Sequence, residues 1–291
     1  MKTHTKFLVT FCIALFSVSR MHQAFAQSPD EVTYKVFYDN LSPFGKWLKD
    51  PALGYVWIPN VEKSFRPYLT NGRWVMTDYG STWISSYPWG WAAFHYGRWI
   101  YDSLYGWVWI PGMDWGPSWV VWRTNGDYYG WTPLLPGFDV HGSLSPNYLV
   151  PADWWIFIPS KNLLNASVQK NTKSNAQYNL SMLKQTSVLN NIYTRGNTNY
   201  ISGPRAESYA KVSATHVTVY TLKNTAKPGN AVVGKDEIGL YKPAFKKWIG
   251  EEPKPAKSVA TEHALGKAAA LGNSVSAGGT KAPVKKKAKH K

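Results

Sequence analysis

Four tryptophans and one arginine carry the clearest binding chemistry in this chain: Trp89, Trp91, Trp115, Trp119 and Arg98. An indole offers a flat apolar face and a polar N–H, and a guanidinium stacks on aromatic rings or pairs with anionic groups. Trp89, Trp91 and Trp115 stand beside Pro and Gly, in expected loops. Loops on a rigid scaffold are where binding residues concentrate. These rings are therefore expected to form an exposed ligand-binding edge.

Acid–base and nucleophilic chemistry is weaker. His95 lies between Phe94 and Tyr96 with no His or Cys nearby, so it reads as a packed or hydrogen-bonded histidine. Paired carboxylates would suggest glycoside hydrolysis. Yet Glu62 is the only Glu between residues 32 and 206. Asp78 and Asp102 occupy equivalent expected turns, where Asp serves turn chemistry, and Asp114 precedes Trp115. No nucleophile elbow, phosphate loop or metal-ligand spacing is present. The expectation is no catalytic residue, no metal and no cofactor; a glycosidase is the weakest reading.

The elements that must position these residues repeat. Gly45-Lys-Trp47, Gly72-Arg-Trp74 and Gly97-Arg-Trp99 open three units, 27 and 25 residues apart. Each unit closes on a second half: Gly54-Tyr-Val-Trp-Ile-Pro59, Gly80-Ser-Thr-Trp-Ile-Ser85 and Gly106-Trp-Val-Trp-Ile-Pro111. Within each half the apolar period is 2, bounded by Gly and Pro, which reads as strands. Each unit is an expected β-hairpin. A fourth hairpin spans 118–131, with Asn125-Gly126 suiting a type I′ turn. Trp154–Ile158 is one more strand, expected to return to the same sheet. Lys46, Arg73 and Arg98 should point away from the neighbouring tryptophans, to a solvated face or to stacking partners. Two readings of the aromatics stay open: all are core, or one row of rings lines a groove.

The flanks are read from composition. Lys2 and Lys6, the apolar run Phe7–Val18 and Ala24-Phe-Ala26 form a signal peptide over residues 1–26, with cleavage between Ala26 and Gln27. Cys12, the only cysteine, lies inside it and lacks the preceding small residue of a lipid-anchor site. No later run is apolar enough to span a membrane. Residues 27–160 carry a net charge of −3 and residues 161–291 a net +16, so the basic character belongs to the C-terminal half. After the aromatic domain (30–160) come a polar connector (161–191, with a short helix around Ser181–Leu189) and a small α+β unit (192–249). That unit holds a helix from Pro204 to Ala214, a strand over His216–Leu222 and two short strands, Ala231–Val233 and Ile238–Tyr241. Residues 250–291, rich in Lys, Ala and Pro, form a disordered basic tail, dispensable for folding.

Several strings together resemble one family: Leu41-Ser-Pro-Phe-Gly-Lys-Trp47, Arg66-Pro-Tyr68, Pro88-Trp-Gly-Trp91, Phe94-His-Tyr-Gly-Arg-Trp99 and Gly130-Trp-Thr-Pro-Leu134. The resemblance is to uncharacterised, exported, Trp- and Tyr-rich proteins of Gram-negative bacteria, a domain of unknown function, over roughly residues 34–160. It implies an envelope location and brings no established activity.

The expected fold is mainly β: an antiparallel barrel-like or sandwich domain of aromatic hairpins, then the α+β unit and the tail. The expected function is a non-enzymatic, envelope-associated binding or scaffold protein, periplasmic or extracellular, that recognises glycan or peptidoglycan. Its Lys-rich tail suits an anionic envelope surface, and nucleic acid is not an expected partner. The structural alternative is a protein–protein interaction module whose aromatics are only core.

Overall fold

The computed structural model describes residues 32–138, 150–172, 175–195, 198–246, 253–260 and 265. The expected signal segment, with its cleavage between Ala26 and Gln27, lies outside them. Helix α1 (Lys35–Leu41) leads into three hairpins, one per repeat. These are β1 (Gly45–Asp50) with β2 (Gly54–Pro59), β3 (Gly72–Thr77) with β4 (Gly80–Ser85), and β5 (Arg98–Asp102) with β6 (Gly106–Ile110). A single helical turn, α2 (Gly90–Ala93), separates the second from the third. The fourth hairpin is β7 (Val120–Thr124) with β8 (Tyr128–Pro133), and β9 (Ile156–Pro159) returns antiparallel to β8.

The tryptophan spacing sets the register. Trp47 faces Trp57, Trp74 faces Trp83, Trp99 faces Trp109, and Trp122 faces Trp131. Opposite residues of an antiparallel pair share a face and touch. β2 and β6 then meet at Trp57 and Trp109, so Trp47, Trp57, Trp109 and Trp99 form one row across a sheet. The glycine that opens each unit also has a use. A Cβ at Gly45 would lie 2.6 Å from the Trp57 indole nitrogen, and one at Gly72 would lie 2.4 Å from the Trp83 ring. The second tryptophan of each of these units covers the backbone where the first strand starts.

Two turn readings change. Asp102 Oδ1 accepts the N–H groups of Leu104 and Tyr105, and Asp50 Oδ1 accepts those of Ala52 and Leu53. Asp50, not Asp78, is therefore the counterpart of Asp102. Asp78 instead joins strands, accepting the Leu222 N–H at 3.1 Å and pairing with Arg195 at 3.3 Å. In the fourth hairpin the positive φ falls on Gly126 alone, at 92°. Type I′ needs it at both central residues, so Asn125-Gly126 does not form that turn.

The C-terminal half is woven into the same core. Helix α3 (Ala176–Gln185) begins earlier than expected because the Asn175 side chain caps it, accepting the Tyr178 N–H. It also ends earlier, because β10 (Ser187–Val188) leaves to pair with β7. The expected connector is polar in composition but anchored. Leu163, Val168 and Met182 are buried, and the buried Asn179 amide donates to the carbonyls of Ala152 and Trp155. Strands β11 (Ile192–Arg195) and β12 (Thr198–Ile201) form a small hairpin, and α4 (Ala206–Ser213) follows. Strand β13 (Val219–Asn224) pairs parallel with β3. With β14 (Val232–Val233) and β15 (Glu237–Leu240) it extends that hairpin into a five-stranded sheet. The sheets have free edges and form no closed barrel; the sandwich alternative describes them.

Part of the expected tail is ordered. Strand β16 (Val259–Ala260) adds parallel to the outer edge of β1, Pro255 and Leu265 are buried, and the Leu265 N–H reaches Asp50 Oδ2. An open strand edge offers unpaired backbone groups, and composition alone does not reveal that partner. Residues 250–252, 261–264 and 266–291 of the tail lie outside the described residues. Truncation at Gly250 is now expected to cost about 2 kcal/mol, chiefly the burial of Leu265, and to lower the melting temperature by roughly 4–8 °C. An unchanged melt would restore the reading of a dispensable tail.

Candidate functional site

The expected aromatic edge is turned inward. Trp89, Trp91 and Trp119 are only 2%, 3% and 3% exposed. Trp89 stacks on Tyr87 at 4.5 Å and on Phe94 at 5.5 Å; Trp91 packs on Phe37 and Tyr241. Arg98 does stack, with its guanidinium 3.6 Å over the Trp119 ring, and it donates to the Gly97 carbonyl. That contact covers the ring instead of offering it. Of the five residues, Trp115 alone is a half-buried ring beside a surface pocket. Trp119, just before β7, is buried beneath Arg98, and the exposed edge is corrected for Trp89 and Trp91, because their Pro- and Gly-flanked loop is part of the core.

The reason lies in four successive carbonyls of that loop. Ala93 accepts from Trp99 Nε1 at 2.8 Å, Phe94 from the Tyr68 hydroxyl at 3.1 Å, His95 from Trp119 Nε1 at 2.9 Å, and Tyr96 from Trp109 Nε1 at 2.8 Å. A buried backbone carbonyl without a donor is costly. Here rings supply the donors, so the core uses Trp and Tyr where aliphatic side chains would leave orphans. Burial pushes the Tyr68 pKa well up, which keeps its hydroxyl protonated and donating. Trp131 Nε1 likewise donates to the Tyr68 carbonyl, at a residue held at φ 57°.

An aromatic surface does exist elsewhere. The indole face of the third hairpin is core at Trp99 and Trp109 and reaches the surface two residues further along at Tyr101, whose partner Trp107 stays buried at 8% exposed. Tyr101 is 44% exposed and Leu104, in the adjoining turn, 62%. Trp154 joins them from the segment before β9, its ring 5.1 Å from Trp107 and 6.2 Å from Tyr101. Two depressions of about 320 and 290 Å³ share Lys63, Phe65, Tyr101 and Trp107 as walls, and so form one groove. Its rim carries exposed Glu62, Lys63, Ser64, Ser103 and Asp153. Arg66 fixes the far wall, donating to the carbonyls of Asp153 and Trp155. The repeat pattern contained half of this signal, since Tyr101 shares a strand face with Trp99. The approach of Trp154 had none.

Comparison with known proteins adds one finding. Residues 38–138 match DUF6600, a family of unknown function. No curated protein and no solved structure matches the chain. The DUF6600 segment contains all four hairpins, the carbonyl ladder and the Tyr101–Trp107 half of the groove; Trp154 lies beyond it. Among the described residues, no helix is long and apolar enough to cross a membrane.

Proposed function

We propose that this chain is an exported, non-enzymatic binding or scaffold protein of the cell envelope, and that it takes a glycan or peptidoglycan strand in the Tyr101–Trp107–Trp154 groove. The observation that carries the reading is an exposed tyrosine, backed by the buried indoles of Trp107 and Trp154, at a groove with a polar rim. Sugar rings present apolar C–H faces, which pack on aromatic rings, and hydroxyl edges, which need acceptors and donors. Glu62, Asp153, Lys63 and the serines supply both around the groove. Export rests on the signal-like residues 1–26, and the basic C-terminal half favours an anionic envelope surface. The second reading, a purely structural interaction module, draws on the burial of nearly all the described tryptophans.

Soluble peptidoglycan fragments and neutral glycan oligomers, titrated into the full chain, separate the two. Tyr101→Ala is expected to weaken binding at least tenfold, about 1.4 kcal/mol, with a smaller change in the melt than a core substitution because the residue is 44% exposed. No binding by either would leave the structural reading; equal binding by both would place the glycan away from Tyr101.

A further inference from the structure

A second surface pocket, of about 310 Å³, shares no wall with the groove and is built from different chemistry. Four separate stretches of chain meet there. Tyr79 comes from the two-residue turn between β3 and β4. Trp115 comes from the loop after β6, Arg195 and Tyr200 from the β11–β12 hairpin, and Lys242 from the segment after β15. Tyr79 and Trp115 meet edge to face at 4.9 Å, with Tyr200 6.1 Å from Tyr79.

The charges in it are unbalanced. The Arg195 guanidinium lies 3.9 Å over the Tyr79 ring and is paired with Asp78. The Lys242 ammonium lies 4.8 Å from the Tyr79 ring and 4.7 Å from the Trp115 ring, and it donates one hydrogen bond, to the Tyr79 hydroxyl. Among the described residues no carboxylate pairs with Lys242. A half-buried ammonium held between two rings, with donors to spare, is short of an anion. Asp78 already offsets Arg195, so the pocket is in excess by one positive charge. That excess matches a carboxylate monoanion better than a phosphate dianion. The half-buried rings of Trp115 and Tyr79, backed by the buried Tyr200, suit a ring attached to that carboxylate.

We propose that this pocket binds an acidic sugar, its carboxylate held by Lys242 and Arg195 and its ring packed against the half-buried Trp115. The site extends the glycan reading to anionic residues, but it stands on its own side chains and does not require the Tyr101 groove.

The probes are glucuronate, glucose and inorganic phosphate, each titrated into the full chain and followed by tryptophan fluorescence and calorimetry. Glucuronate is expected to bind saturably, glucose and phosphate at least tenfold more weakly. Lys242→Ala should weaken glucuronate binding at least tenfold and Lys242→Arg should restore most of it. If Lys242→Ala fails to fold, Arg195→Gln carries the same expectation of a severalfold loss. Glucose or phosphate binding as tightly as glucuronate would overturn the proposal. So would unchanged affinity in the Lys242 or Arg195 variants. Failure of peptidoglycan binding at Tyr101 with intact glucuronate binding would sink the groove alone.

Discussion

Trp109→Ala is expected to lower the unfolding free energy by about 3–5 kcal/mol and, in a domain of ordinary stability, to leave much of the protein unfolded. Trp109 is fully buried in the middle of the four-indole row, opposite both Trp99 and Trp57. Phe37 meets its ring edge to face at 5.2 Å, and Trp47 lies at 6.4 Å. Truncation therefore opens a cavity where two hairpins join. It also removes the donor at 2.8 Å from the Tyr96 carbonyl. Trp109→Phe separates these effects, since it keeps most of the ring and drops the N–H. Its expected cost is about 1–3 kcal/mol, the penalty of one orphaned buried acceptor plus a small cavity. Urea unfolding of the two variants checks both numbers. A Trp109→Ala loss below about 1 kcal/mol would mean that the indole row is not the core.

The second large effect is a loss of stability in mild acid, centred on His95. Its ring is buried, stacks on Trp115 at 5.6 Å, and points Nδ1 at the Gly116 carbonyl at 3.0 Å. An acceptor there requires the proton on Nδ1, as in the neutral tautomer. Burial holds the His95 pKa down to about 4, against an ordinary 6.5; the Gly116 carbonyl opposes this and the nearby Lys242 ammonium adds to it. The unfolded chain therefore binds a proton that the folded chain refuses between these two values. Stability contributed by neutral His95 is complete above the unfolded pKa and drains away as pH falls toward the folded one. Between about pH 7.5 and 4.5 the expected loss is roughly 2–3 kcal/mol. His95→Gln keeps a donor for Gly116 and removes the titration. Its stability should fall less over the same interval by about that amount, although carboxylates titrate in both proteins. Parallel pH profiles for the two would show that His95 is not the acid-sensitive group.

The sequence by itself determined the hairpins and their register. A tryptophan every 9 or 10 residues within a unit, with period 2 around it, leaves one pairing that puts both indoles on one face. The Gly–Lys/Arg–Trp openings mark strand starts, for the local reason that the partner indole covers the backbone there. The start of α3 is written in Asn175, whose side chain accepts the Tyr178 N–H.

Only the tertiary structure decided which rings are hidden. Trp89 and Trp91 sit in a sequence context of loop, and exposure is the usual lot of loops. Here the loop is roofed by α1 and Tyr241 and its carbonyls are met by donors from Tyr68, Trp99, Trp109 and Trp119. These donors lie from 6 to 26 residues away along the chain, on other strands and loops, and no local pattern records them. The same holds for β16 on the edge of β1, more than 200 residues from its partner in the chain, and for Trp154 beside Tyr101. It holds also for Lys242 between Tyr79 and Trp115. Short-range spacing encodes faces and turns because it acts through the backbone, whereas burial and charge balance depend on which distant segments the folded chain brings against each face.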